Sequence, residues 1–137
     1  MAKVLYNRLQ CHYGPVQFDI EIRGGITSIT GDSGTGKTFL LQALKRKGSG
    51  YDVLPITGDF STTEIELLIS NASNKLIVVD NADIVLPKTR FTDLDFLADK
   101  KNQYLLFSRQ GKNYGADATT IGDLIVRDGK VTIEYLR

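Results

Sequence analysis

Eight consecutive residues, Gly31-Asp32-Ser33-Gly34-Thr35-Gly36-Lys37-Thr38, fit the pattern G-x-x-x-x-G-K-[ST] at every position. The chemistry such a run suits is capture of a polyphosphate. Its glycines let the main chain curl until successive N–H groups point inward, and a helix starting just after adds the positive end of its dipole to that nest. Lys37 has the reach to meet β- and γ-phosphates. The Thr38 hydroxyl is a hard oxygen ligand of the kind Mg²⁺ prefers. The bland alternative is a flexible glycine turn ahead of a helix.

The elements around the octet are those a phosphate cradle needs. Ile26 to Thr30 is a short β-branched strand running into it, and Thr38 to Lys47 has helical character that stops at Gly48-Ser49-Gly50. Ahead of it, Val4 to Gln10 and Val16 to Ile22 read as two strands joined through Cys11-His12-Tyr13-Gly14-Pro15. The second alternates Val16, Phe18, Ile20 and Ile22 with polar residues, a period of two that buries one face. After it come a strand over 51–57 and a helix opened by the capping-box match Ser61-Thr62-Thr63-Glu64, with Ile65, Leu68 and Ile69 inward. Leu76 to Val79 is wholly apolar, as a parallel strand covered on both faces would be, and Tyr104 to Phe107 repeats the pattern. Between them, a helix over 91–99 places Phe91, Leu94 and Leu97 on one face. Leu124 to Val126 and Val131 to Tyr135 flank Asp128-Gly129 and read as a closing hairpin. The fold class expected is α/β, with one domain spanning 1–137.

Composition narrows the partners. Seventeen basic and sixteen acidic side chains leave a net charge of +1, so no overall field draws the chain to nucleic acid and no clear nucleic-acid patch is expected. Cys11 and His12 are the only residues of their kinds, which rules out an internal disulfide or a Cys/His zinc cage and fits a reducing cytoplasm. The longest apolar runs fall well short of the roughly 20 residues a membrane helix needs, so no membrane segment is expected.

The octet and the strand Lys75-Leu76-Ile77-Val78-Val79-Asp80 resemble the P-loop NTPases. Within them, the chain looks most like a minimal ATP-binding-cassette ATPase domain. The leading hairpin, Gly25 to Thr30, and the closing Asp123-Leu124-Ile125-Val126-Arg127-Asp128-Gly129-Lys130-Val131 extend the likeness. It implies a three-layer fold with a mainly parallel sheet and antiparallel hairpins at both ends. It also implies ATP and Mg²⁺ as ligands, with Gly31 to Thr38 as the phosphate site and Thr38 and Asp80 as metal residues. Asp80, at the end of a buried strand beside the cradle, would act as a Walker B acid through water; its other reading is a cap on the next turn.

Five further residues take roles only through that likeness. Arg109 lies where a γ-phosphate sensor belongs, or is a surface arginine. Asp83 could substitute for the glutamate that polarises the attacking water if the backbone turns helically after Asp80, or is a solvated turn acid. Asp59 falls in a switch-like region, or is a turn acid ahead of Ser61. Tyr6 and Tyr13 lie in the hairpin where cassette proteins stack an aromatic ring on adenine, or pack in the core or turn. A guanine-specific N-K-x-D motif would need Asp where Ile77 follows Asn74-Lys75, so ATP is preferred.

The departures matter equally. No LSGGQ-like signature or helical subdomain is present, and Asn81 stands where cassette ATPases carry a glutamate. The expected activity is slow ATP hydrolysis by Lys37 and its neighbours, completed by a protein partner or a homodimer. Two alternatives stay open: a regulatory module that holds ATP without cleaving it, and a small P-loop kinase with Arg109 and Lys112 in a lid over 108–116.

Overall fold

The computed structural model describes residues 3–31, 36–109 and 114–137. Strands β1 (Arg8–Tyr13) and β2 (Val16–Glu21) form the leading hairpin, followed by β3 (Ile26–Thr30) and helix α1 (Lys37–Lys45). Strand β4 (Val53–Ile56), helix α2 (Thr62–Asn71) and strand β5 (Leu76–Val79) come next. Helix α3 (Ala82–Val85) runs into a 3-10 turn over Leu86–Lys88, then helix α4 (Asp93–Ala98), strand β6 (Gln103–Phe107) and the hairpin β7 (Ile121–Arg127) and β8 (Lys130–Tyr135).

All eight strands join one sheet in the order β1-β2-β8-β7-β3-β6-β5-β4. The pairings β7-β3, β3-β6, β6-β5 and β5-β4 are parallel, as is β2-β8, while the two hairpins are antiparallel. The chain is therefore a mixed α/β protein with a mainly parallel sheet and a hairpin at each end of the sequence. Alternation along the central strands divides the core between the two faces. Ile77, Val79, Tyr104 and Leu106 face a cluster with Ile65 and Ile69 of α2 and Phe96 of α4. Leu76, Val78, Leu105 and Phe107 face the other, with Leu40, Leu41 and Leu44 of α1.

The sheet curls around α1 until its two edges meet. The Tyr51 hydroxyl, one residue short of the segment leading into edge strand β4, accepts from the Gln10 N–H of edge strand β1 at 2.6 Å. The Tyr6 hydroxyl accepts from the Asp52 N–H at 3.0 Å, and the two rings meet edge to face at 5.0 Å. Edge backbone groups that would otherwise be open for pairing are thus occupied by phenols.

Two sequence expectations shift. The first strand begins at Arg8 and continues through Cys11-His12-Tyr13, because Gly14 at φ +59° with Pro15 turns the hairpin in two residues. Residues 4–7 lie outside the strand. Their backbone is taken instead by the buried Gln103 amide, whose Oε1 accepts from Leu5 and Tyr6 N–H (3.0 and 2.8 Å) and whose Nε2 donates to the Tyr6 and Gly24 carbonyls (2.9 and 3.1 Å). In α4 the buried residue is Phe96, packed edge-on to Tyr104 and Tyr114, whereas Leu94 is 75% exposed. The helix has only six residues, and its Thr92/Asp95 capping box sets its start. By contrast, the Ser61/Glu64 capping box opens α2 as the sequence predicts, and Asp128-Gly129, both at positive φ (54° and 78°), turn the closing hairpin.

Candidate functional site

The parallel strands β3, β6 and β5 deliver their C-terminal ends to one cavity of about 300 Å³. β3 runs into the glycine-rich turn, whose described end supplies Gly36, Lys37, Thr38 and Phe39 to the cavity wall. β6 supplies Phe107, Ser108 and Arg109, and β5 supplies Asp80 and Asn81. Asp32, Ser33, Gly34 and Thr35, the middle of the octet, lie outside the described residues, as does Lys112.

Glycine is required at both described ends of the turn. Gly31 takes φ +125° and Gly36 φ +100°, backbone that side chains with a Cβ rarely adopt. Gly36 is the residue before α1, so the chain swings directly from the turn into the helix, and the partial positive charge of the helix N-terminus is directed at the cavity. The Lys37 ammonium donates to the Gly31 carbonyl, which holds the lysine head against the residue that follows β3. Lys37 is half-buried and Thr38 exposed, both at the cavity.

Asp80 follows the fully buried β5, and its N–H is tied to the Ile56 carbonyl at 2.9 Å, so the carboxylate is presented from a fixed backbone. β5 does not lie beside β3, because β6 is inserted between them. With strands roughly 4.8 Å apart, the two backbones are separated by about 10 Å across the cavity floor. The same insertion brings Arg109 to the centre of the row, between the glycine-rich turn and Asp80. Ser108 is 5% exposed, and its N–H is fixed by the Ile29 carbonyl at 3.0 Å.

Asn81 faces the cavity from left-handed backbone, φ +50° and ψ 48°. The turn after it is helical, as a catalytic role for Asp83 would need. Yet Asp83 does not line the cavity. One of its carboxylate oxygens is buried without a hydrogen-bond partner, and its charge is felt by Tyr114 on the α4 side. The Tyr114 hydroxyl, also buried and unpartnered, is raised by burial and then by Asp93 and Asp83. Asp59 is exposed in the β4–α2 connection and is not part of the cavity wall.

The two candidate tyrosines separate cleanly. Tyr6 bonds to residues at the start of β4 and β6, the end of the sheet away from the cavity. Tyr13, at the close of β1, stacks on Phe39 with centroids 5.5 Å apart and planes at 16°. Phe39 is the contribution that sequence reasoning missed. It falls off the Leu40-Leu41-Leu44 face of α1 and is 48% exposed, a large apolar group left outside at the first turn of the helix. Cys11 offers no nucleophile, since burial pushes its thiol up to about 11.

Two hard oxygen donors, Thr38 and Asp80, border the cavity together with the lysine and arginine. This donor set fits Mg²⁺ held jointly with phosphate oxygens and water. Among the described residues no group of three His, Cys, Asp or Glu side chains is placed to hold a metal unaided. No described helix is long and apolar enough to cross a membrane. The chain matches no family model, no curated protein and no solved structure.

Proposed function

We propose that the chain is a P-loop protein that binds ATP with Mg²⁺ in this cavity and hydrolyses it slowly until a protein partner or second copy completes the site. The observation that carries the reading is the convergence of Lys37 and Thr38, Arg109 and Asp80 from three adjacent parallel strands on one cavity, at the N-terminus of a helix. The three-layer description belongs to the same reading, with α1 on one face of the sheet and α2 to α4 on the other.

In this arrangement the main-chain amides of the glycine-rich turn and the helix dipole neutralise the phosphate tail. Lys37 exchanges the Gly31 carbonyl for the β- and γ-phosphates. Thr38 and, through water, Asp80 would hold Mg²⁺, which would supply positive charge against the phosphate oxygens. Arg109 meets charge on the terminal phosphate from β6. Tyr13, backed by Phe39, offers an exposed ring face for the base.

A non-hydrolysing regulatory module is the second reading, and one observation favours it. Among the described residues Asp80 is the only carboxylate on the cavity wall, and Asp83 is not part of that wall. Asn81 cannot accept a proton from an attacking water as a glutamate would. A phosphate-release assay separates the readings. Mg²⁺-dependent release that disappears in Lys37→Ala supports slow hydrolysis; ATP recovered intact from a tight complex supports the module; and absence of any nucleotide complex overturns both.

A further inference from the structure

The far end of α1 carries a second concentration of charge. The helix is nine residues long, so its last turn lies about 13 Å from the cavity. It closes with Lys45 and runs into Arg46 and Lys47, all exposed. The strands that end at the cavity begin at this same end of the sheet, and the residues before them are Lys75 for β5 and Lys100 and Lys101 for β6. Lys3 joins them, its ammonium donating to Asn74 at 2.6 Å while the Asn74 N–H donates to the Lys101 carbonyl at 2.8 Å.

Little at this end cancels that charge. Asp52 pairs with Lys75 at 2.8 Å, and Asp99 is engaged by the Tyr104 hydroxyl and the Lys101 and Asn102 backbone. Lys45, Arg46, Lys47, Lys100 and Lys101 have no acidic side chain within 4 Å among the described residues. One terminal lysine is explained by the helix dipole, but three basic residues in succession, Lys45, Arg46 and Lys47, with two more across the sheet end are not. The net charge of +1 conceals this face because Asp59, Asp80, Asp83 and Asp123 lie toward the other end.

Between Tyr6, Tyr51 and the segment 45–50 lies an open groove of about 550 Å³. The phenol oxygens are occupied by backbone partners, so what the two tyrosines offer the groove is ring surface. Gly48 and Gly50 take φ +88° and +91°, and nothing lies within 4 Å of where their side chains would be, leaving room for a backbone to approach. Cations beside aromatic rings in a concave groove match a flexible chain of stacked bases and phosphates. A lipid surface, by contrast, is met by apolar groups that protrude.

We propose that this end of the molecule is a binding surface for single-stranded nucleic acid, with phosphates on Lys45, Arg46 and Lys47 and a base against Tyr6 and Tyr51. The inference is independent of what occupies the cavity at the other end of α1.

The test is fluorescence anisotropy with a labelled oligothymidylate of about 12 nucleotides, titrated at salt from about 50 to 200 mM. Binding should weaken with salt at a log–log slope of roughly −2 to −4. Joint replacement Lys45→Gln, Arg46→Gln, Lys47→Gln should weaken it by about tenfold or more and flatten the slope by about 2, with an unchanged melting temperature. If that variant misfolds, Lys100→Gln with Lys101→Gln should weaken binding in the same direction. No binding to the oligonucleotide, binding that neither variant weakens, or sedimentation with phosphatidylserine vesicles without oligonucleotide binding would each overturn the proposal.

Discussion

Tyr13 lies flat against Phe39, with ring planes 16° from parallel, where the end of edge strand β1 meets the first turn of α1. The pair joins the leading hairpin to the glycine-rich turn and leaves ring surface exposed beside the cavity. Base stacking on such a ring is worth about 1–3 kcal/mol. Tyr13→Ala is therefore expected to weaken Mg-ATP binding about tenfold, measured by calorimetry. Tyr6→Phe, altered at the opposite end of the sheet, should leave it unchanged. Equal effects from the two variants would remove Tyr13 from the site.

Asn81 occupies left-handed backbone, which asparagine tolerates better than longer side chains. Asn81→Glu should thus cost about 1 kcal/mol of stability while adding a second carboxylate to the cavity wall beside Asp80. Asn81→Gln carries the same backbone penalty without the charge. The expected outcome is a rise in Mg²⁺-dependent phosphate release in the glutamate variant alone; matched rates in the two would show that the side chain at 81 does not limit hydrolysis.

Gln103 holds four backbone groups of the segments at 5–6 and 24 with a single buried amide. Gln103→Leu keeps the volume and strands those groups, so urea denaturation should report a loss of about 2–4 kcal/mol. A loss under about 1 kcal/mol would mean that water replaces the amide and the N-terminal segment is not pinned by it.

Asp99 sets an acid limit on stability. Burial alone would raise its carboxyl, but hydrogen bonds from the Tyr104 hydroxyl, the Lys101 N–H and Asn102 outweigh that and hold it below the ordinary carboxylate range. A lowered folded-state value contributes stability above the unfolded value, near pH 4, and that contribution disappears as pH falls through the folded one. Asp99→Asn should be less stable at neutral pH and show a flatter decline as pH falls below about 4, followed by circular dichroism. An unchanged acid profile would place the sensitivity elsewhere.

Much of this architecture was legible in the residues because the signals were local. A capping box, an Asp-Gly turn and unbroken apolar strands such as Leu76 to Val79 each carry their own geometry. What stayed hidden depends on contacts distant in sequence. Residues 4–7 look like a strand until Gln103, almost a hundred positions later, claims their backbone. Nothing within 75–80 says that β6 will insert beside β3, since strand order is decided by how crossover helices pack. The Tyr13–Phe39 stack needs the sheet to curl, and Asp83 stays off the cavity wall on a helix that buries Ala82 and Val85. Of the octet, the described Gly36, Lys37 and Thr38 stand where eight adjacent residues predict a glycine leading into a helix.

The most direct measurement is isothermal titration of the full chain with ATP in the presence and absence of Mg²⁺, repeated on Lys37→Ala. The account predicts one-site binding that depends on Mg²⁺ and weakens about tenfold or more when the charged hydrogen-bond donor is removed. Absence of binding by the folded wild type, or an affinity that Lys37→Ala leaves unaltered, would contradict it.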